Sequence, residues 1–198
     1  MPSEQPPGPD QPSALDAKPG RQRVLDAAAA RLVEQGYAAT TLRQVAGDAG
    51  IKAGSIYHYF PSKEELFTAV LRDGIGVMVT AFDASEPGLR SHVRAHLGAL
   101  FEHGPYTAAH VTAFFTAPPA IRTATVPVRD GYEALWNSLL EELLPHLDPK
   151  QVSLHRLLLF GAMNTTIEWF DPKGNVTLDQ LAEAITDQFL NGVGRERS

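Results

Sequence analysis

The segment GIKAGSIYHYFPSKEE, residues 50–65, concentrates more reactive side chains than any other part of the chain. Lys52 and Lys63 offer cations, and Tyr57 and His58 offer hydrogen bonds suited to phosphate oxygens. Gly54 has no side chain, so a phosphate or a base edge can come close to its backbone. The set lacks a nucleophile with its base and orienting group, and it lacks paired carboxylates. The chemistry on offer is the gripping of a polyanion rather than turnover. Packing is the competing use of the rings: Tyr57 and Tyr59 could both be core residues, and Lys52 a solvated lysine.

Charge distribution favours the polyanion. The whole chain carries a net charge of -6, but residues 18–63 hold seven basic and three acidic side chains. That window is +4, so the remainder is -10. A basic part and an acidic part suggest two jobs, one of which meets a nucleic acid.

These side chains need elements to aim them. A helix over about 21–35 has Leu25, Ala28, Ala29, Leu32 and Val33 as its apolar stripe, and Gly36 as its stop. Thr41 and Gln44 have the spacing of a capping box, which opens a short helix ending near Gly50. A third short helix spans about 53–59 and Pro61 ends it. Ser62 and Glu65 form a second capping box, and Leu66, Phe67, Val70, Leu71, Ile75, Met78 and Phe82 mark the buried face of the long helix that follows. Two short helices around a Gly turn, after a supporting helix and inside the basic window, describe a helix-turn-helix. Thr41 then caps its helix and touches phosphate at that helix's positive end. Lys63, in a first helical turn, is ill placed for the helix dipole and so points to an external anion. Ile56 and Phe60 face the opposite way, toward the supporting helices.

The stretch RVLDAAAARLVEQGYAATTLRQVAGDAGIKAGSIYHYFPSKEELFTAVL closely resembles the DNA-binding region of tetracycline-repressor (TetR) family regulators. The shared pattern is a helix ending in Gly and an aromatic, then Thr-Thr, a short helix, Ala-Gly, a small recognition helix ending in Tyr-x-Tyr/His-Phe, and Lys-Glu-x-Leu. The resemblance implies an Ω-shaped homodimer that binds operator DNA and is released by a small molecule. It also implies DNA contacts at Thr40, Thr41, Arg43, Gln44, Lys52, Ala53, Gly54, Tyr57, His58 and Lys63. Ala53 departs from a site that is often polar, which shifts base reading toward Lys52, Ser55, Arg43 and Gln44.

Beyond residue 65 the chain continues as helices near 88–103, 106–116, 128–145, 150–170 and 178–191, separated by Pro- and Gly-bearing breaks. The expected fold is all-α with about nine helices. A tail over 1–19 with six prolines reads as disordered, a DNA-binding domain spans 20–65, and a ligand-binding and dimerisation domain spans 66–198. The helix containing LLLFGAMNTTIEWF is apolar nearly all round and must be covered on every side. Leu158, Ala162 and Thr165, with Leu181, Ile185 and Phe189 from the last helix, are candidates for a four-helix dimer seam. Their alternative is packing within one subunit. Leu97, Phe101, Phe114, Phe115, Tyr132, Trp136 and Trp169 are candidates to line an effector pocket for a hydrophobic molecule, and each could instead be plain core. Asn164 needs a partner if buried, either a ligand or a backbone carbonyl.

His92, His96 and His103 lie within about 40° of one another on a helical wheel. They read as a solvated helix edge, a polar pocket edge, or a metal pair at His92 and His96 that lacks a nearby carboxylate. No metal, cofactor or catalytic group is indicated. The absence of cysteine excludes disulfides and cysteine chemistry. No run is long enough for a signal peptide or a membrane span, which makes a cytoplasmic protein the default. The remaining alternatives are a helical DNA-binding protein without an inducer and a helical enzyme.

Overall fold

The computed structural model describes residues 19–193. The expected tail, 1–19, lies outside the described residues except for Pro19. Among the described residues the chain forms nine α-helices, one short 3-10 helix and no strand.

The first three α-helices and the 3-10 helix are α1 (Gly20–Ala39), α2 (Leu42–Asp48), the 3-10 helix (Ala53–His58) and α3 (Lys63–Asp83). Helix α1 buries Val24, Leu25, Ala28, Ala29 and Leu32, while Val33 turns out to be 43% exposed. Gly36 interrupts α1 with φ 76° and ψ 175°, and the chain adds one more turn beyond it. Gly36 therefore kinks the helix where the sequence suggests a stop. Thr41 and Gln44 close the full capping box: Thr41 N–H donates to Gln44 Oε1 at 2.9 Å, and Gln44 N–H donates to Thr41 Oγ1 at 3.3 Å. Ser62 caps α3 by accepting from Glu65 N–H at 3.1 Å, but the return bond from Glu65 is absent, so only half of that box forms.

Six helices follow: α4 (Leu89–Phe101), α5 (Pro105–Ala113), α6 (Pro119–Leu143), α7 (Pro149–Asn164), α8 (Thr166–Trp169) and α9 (Leu178–Val193). Two departures have local causes. Helix α6 starts nine residues before the expected 128 because Pro127 lies inside it on an exposed position, where the carbonyl it frees can face water. The helix expected over 150–170 breaks at Thr165. There the Thr165 hydroxyl donates to the Gly161 carbonyl (2.9 Å) and the Thr166 hydroxyl to the Met163 carbonyl (2.6 Å), competing with the helical ladder.

Two apolar cores run through the molecule. The first joins α1, α2, Ile56 and Phe60 to Leu66, Phe67, Val70 and Leu71 of α3, and it also takes in Ala109, Ala113 and Phe114 from α5 and its end. The second joins Ile75 and Met78 of α3 to α4, α6, α7 and α9 around Trp136. Helix α3 belongs to both cores, and the change falls between Leu71 and Ile75 rather than at residue 65. Gly74 sits at that point. A Cβ there would run into the Tyr106 backbone carbonyl, so α3 and α5 cross in near backbone contact.

Candidate nucleic-acid interface and ligand cavity

The turn between α2 and the 3-10 helix is a Schellman closure. Gly50 takes φ 65°, its N–H donates to the Gly47 carbonyl (3.1 Å), and Ile51 N–H donates to the Ala46 carbonyl (3.0 Å). Ile56 is fully buried and Phe60 nearly so, which fixes the 3-10 helix to α1 and α3. Arg31 of α1 clasps Asp48 at the end of α2 through Nε (2.5 Å) and a second nitrogen (3.0 Å). That hydrogen bond raises the Arg31 pKa and holds Asp48 below the usual carboxylate range. The sequence offered no signal for this clasp, since its partners stand seventeen residues apart.

Most of the expected contact residues are exposed in the structure. Thr41, Arg43, Lys52, Ala53, Gly54, Tyr57 and His58 are exposed, and Gln44 and Ser55 are half-buried. Tyr57 is 59% exposed, so it is not a packing ring. Tyr59 is 39% exposed and lies with its hydroxyl against Gly20, where a side chain would collide with it. Two expectations change. Thr40 is wholly buried, and its hydroxyl donates to the Gly36 carbonyl (2.8 Å), so it ties the α1 kink rather than facing outward. Lys63 is half-buried, with Nζ donating to the Tyr37 carbonyl (2.6 Å) and lying 4.0 Å from the centre of the Tyr37 ring. Burial lowers the Lys63 pKa. The cation ill placed for its own helix is thus well placed for the last carbonyls of α1. Tyr37 completes the joint: its hydroxyl donates to Glu64 (2.8 Å) and its ring meets Phe67 edge-on at 5.3 Å. Burial, then that bond, pushes the Tyr37 pKa up to about 12.

In the second core a cavity of about 480 Å³ lies between α5, α6, α7 and α8. Of the expected lining residues it includes Phe114, Phe115, Tyr132 and Asn164. Leu97 and Trp136 are fully buried behind it, Phe101 packs on Phe170 at 5.2 Å, and Trp169 is 63% exposed; none of these four lines it. The sequence reading missed Met78, His110, Val111, Arg129, Glu133 and Phe160. The signal for His110 was its place one turn beyond Tyr106 on a helix that must touch both cores. Trp136 acts from behind, meeting Tyr132, His96 and Phe160 edge-on with centroids 5.6–6.4 Å apart.

The three histidines of interest part company. His92 Nδ1 lies 2.7 Å from the Gly88 carbonyl, His96 is buried between Tyr132 and Asn164, and His103 is exposed beyond the end of α4. No grouping of potential metal ligands occurs among the described residues. On the outer face of α7, Leu154, Leu157 and Leu158 are 56%, 57% and 60% exposed, beside exposed Gly161, Ala162 and Thr165. Leu181 is instead 6% exposed and packs within its own subunit, while Ile185 and Phe189 are half-buried. No described helix is long and apolar enough to cross a membrane.

A kinked supporting helix, a Schellman turn, a 3-10 helix with exposed Lys52 at its start and a separate helical domain with a cavity define a helix-turn-helix DNA-binding transcriptional regulator. Comparison with known proteins gives the family. Residues 24–70 match the description "Bacterial regulatory proteins, tetR family", and residues 84–193 match "Tetracyclin repressor-like, C-terminal domain". The chain belongs to the tetR family. It is 27% identical over 201 residues to the HTH-type transcriptional repressor KstR2 of Mycolicibacterium smegmatis, covering 93% of this chain and 95% of that one. Among solved structures, a TetR-family regulator from Bordetella parapertussis superposes with a TM-score of 0.77 at 24% identity, over 90% of this chain and 97% of that one. PfmR from Thermus thermophilus does so at 0.69 and 27%, over 87% and 100%.

Proposed function

We propose that this chain is a repressor that binds a two-fold operator as a homodimer and leaves it when a small, largely apolar molecule fills the cavity. The repressor sign is supported by the full-length relative of that name. DNA contact falls to Thr41, Arg43, Gln44, Lys52, Ala53, Gly54, Ser55, Tyr57 and His58 on the exposed side of the helix-turn-helix. The dimer seam falls to the exposed α7 face at Leu154, Leu158 and Ala162, since an operator with two half-sites needs two recognition elements about 34–36 Å apart.

One observation carries the effector reading. Helix α5 lines the cavity with His110 and Val111, and its other face sits in the DNA-binding core with Ala109 and Ala113. Phe114, which follows it, does both. At its start, the Tyr106 hydroxyl donates to Asp26 (2.6 Å), and Gln22 donates to both Tyr106 (2.8 Å) and Asp26 (3.0 Å). A molecule that displaces α5 therefore displaces α1. It would favour a spacing of the two recognition elements that no longer fits successive major grooves.

The test is selection of bound duplexes from a random pool, followed by a small-molecule screen for release of the selected duplex. A two-fold symmetric sequence and ligand-dependent release are expected. A selected sequence without symmetry sinks the dimer reading. Failure of every molecule that binds the cavity to weaken the complex sinks the effector reading and favours a DNA-binding protein without an inducer.

A further inference from the structure

What can fill the cavity is set by the polar atoms on its wall, and this step rests on the effector function proposed above. Most of the wall is apolar: Met78, Val111, Phe114, Phe115, Phe160 and Ile167. Set into it is a hydrogen-bond chain. The Tyr132 hydroxyl lies 2.8 Å from His96 Nδ1, and His96 Nε2 lies 2.9 Å from Asn164 Oδ1. Burial holds the His96 pKa at about 4, so near neutral pH the ring carries one proton. An amide oxygen can only accept, which places that proton on Nε2 and makes the Tyr132 hydroxyl the donor to Nδ1. The chain of bonds therefore runs one way and ends on the Asn164 amide nitrogen. Its two N–H donors meet no acceptor among the described residues. The buried His110 Nδ1 also lacks a partner among the described residues, but it is closed off from the cavity.

Two cations nearby, Arg129 and Arg156, stand against two carboxylates, Glu133 and Glu168, so the charges balance, although Arg129 Nε and Arg156 Nη1 make no hydrogen bond among the described residues. Glu133 holds Arg129 Nε with one oxygen (3.2 Å) and Arg156 with the other (2.8 Å), and Glu168 adds a further carboxylate to the wall. An incoming ammonium would meet Arg129. An incoming carboxylate would meet Arg129 too, but beside Glu133 and Glu168. Either would give up water for a wall without a free counter-charge. A bare hydrocarbon would leave the Asn164 donors without water or partner. An uncharged oxygen acceptor answers both constraints.

We propose that the cavity selects an uncharged, largely apolar carbonyl compound whose oxygen accepts from the Asn164 amide. The probes are four molecules that share a phenyl ring and a short alkyl chain: benzylacetone (a ketone), phenylbutyrate, phenylbutylamine and butylbenzene. Their affinities for the full-length chain are read by titration calorimetry and by the rise in Tm. Benzylacetone is expected to bind tightest. Asn164→Asp keeps an acceptor for His96 Nε2 and removes the donor. It should weaken benzylacetone roughly three- to tenfold, with butylbenzene nearly unchanged. The order of the four probes on the unsubstituted chain covers the case in which Asn164→Asp does not fold. Tighter binding of phenylbutyrate or phenylbutylamine, equal losses for benzylacetone and butylbenzene, or no binding by any of the four overturns the proposal. If benzylacetone binds as expected and the operator complex survives, the effector role fails while the selectivity stands.

Discussion

Arg43 and Lys52 are exposed at the two elements that flank the Gly50 turn, and they separate reading from gripping. If Arg43 reads a base edge, Arg43→Ala costs about 1–3 kcal/mol on the preferred duplex and flattens its preference over point-substituted duplexes. If it only grips phosphate, all sequences weaken alike and the salt slope falls by about one. Binding of a substituted-duplex panel at two salt concentrations tells these apart, and the reading role is the expected outcome for both residues. Lys63 is predicted to behave differently. Its ammonium is held by the Tyr37 carbonyl and ring, so Lys63→Ala should lower Tm, with a cost of about 1 kcal/mol, and hardly change the salt slope. A full unit lost from the slope with Tm unchanged would return Lys63 to the DNA side. The difference shows what was legible at this scale. Lys52, Tyr57 and His58 were readable because their exposure follows from helix register alone. Lys63 and Thr40 were not, because their partners, Tyr37 and Gly36, come from a kink that the sequence presented as a simple stop.

At the scale of elements, capping and turn chemistry were the most legible features, because they act over three to five residues. Thr41 with Gln44, and Gly50 between two short helices, formed as the local rules require. Less legible were the places where one element serves two cores. Gly74 looked like an ordinary helical glycine, yet its missing Cβ allows the Tyr106 carbonyl to approach α3. Gly74→Val should therefore push α5 off α3. Overpacking at such a contact costs about 1–3 kcal/mol. The same displacement should weaken operator binding without any ligand, because α5 reaches Asp26 through Tyr106. Parallel measurement of Tm and duplex affinity checks this. Normal affinity in a folded but destabilised Gly74→Val would show that the α3–α5 crossing is structural and carries no signal. Helix α6 begins earlier than the expected 128, since Pro127 is tolerated within it on an exposed position.

For the whole molecule, the cavity wall has a consequence for stability against pH. Burial lowers His96 and His110 to about 4, against an ordinary value near 6.5; for His110 the Arg129 charge adds to the shift. Both rings are therefore neutral in the native chain where their unfolded counterparts are half or more protonated. Between about pH 6.5 and pH 4 the unfolded state binds more protons, so stability rises with pH across this window and is complete above it. Acidification should cost up to about 1.4 kcal/mol per pH unit for each ring well inside the window. Thermal unfolding measured from pH 7.5 to 4.5 should show a steady fall in Tm below about pH 6.5. His110→Phe should remove about half of the slope that the two rings contribute, leaving the part due to His96. The variant separates the rings from the carboxylates, since Asp48, held low by Arg31, and Asp73, raised by burial, contribute alike to both proteins. A variant slope equal to that of the wild type would mean that His110 is hydrated in solution and that the cavity is wet.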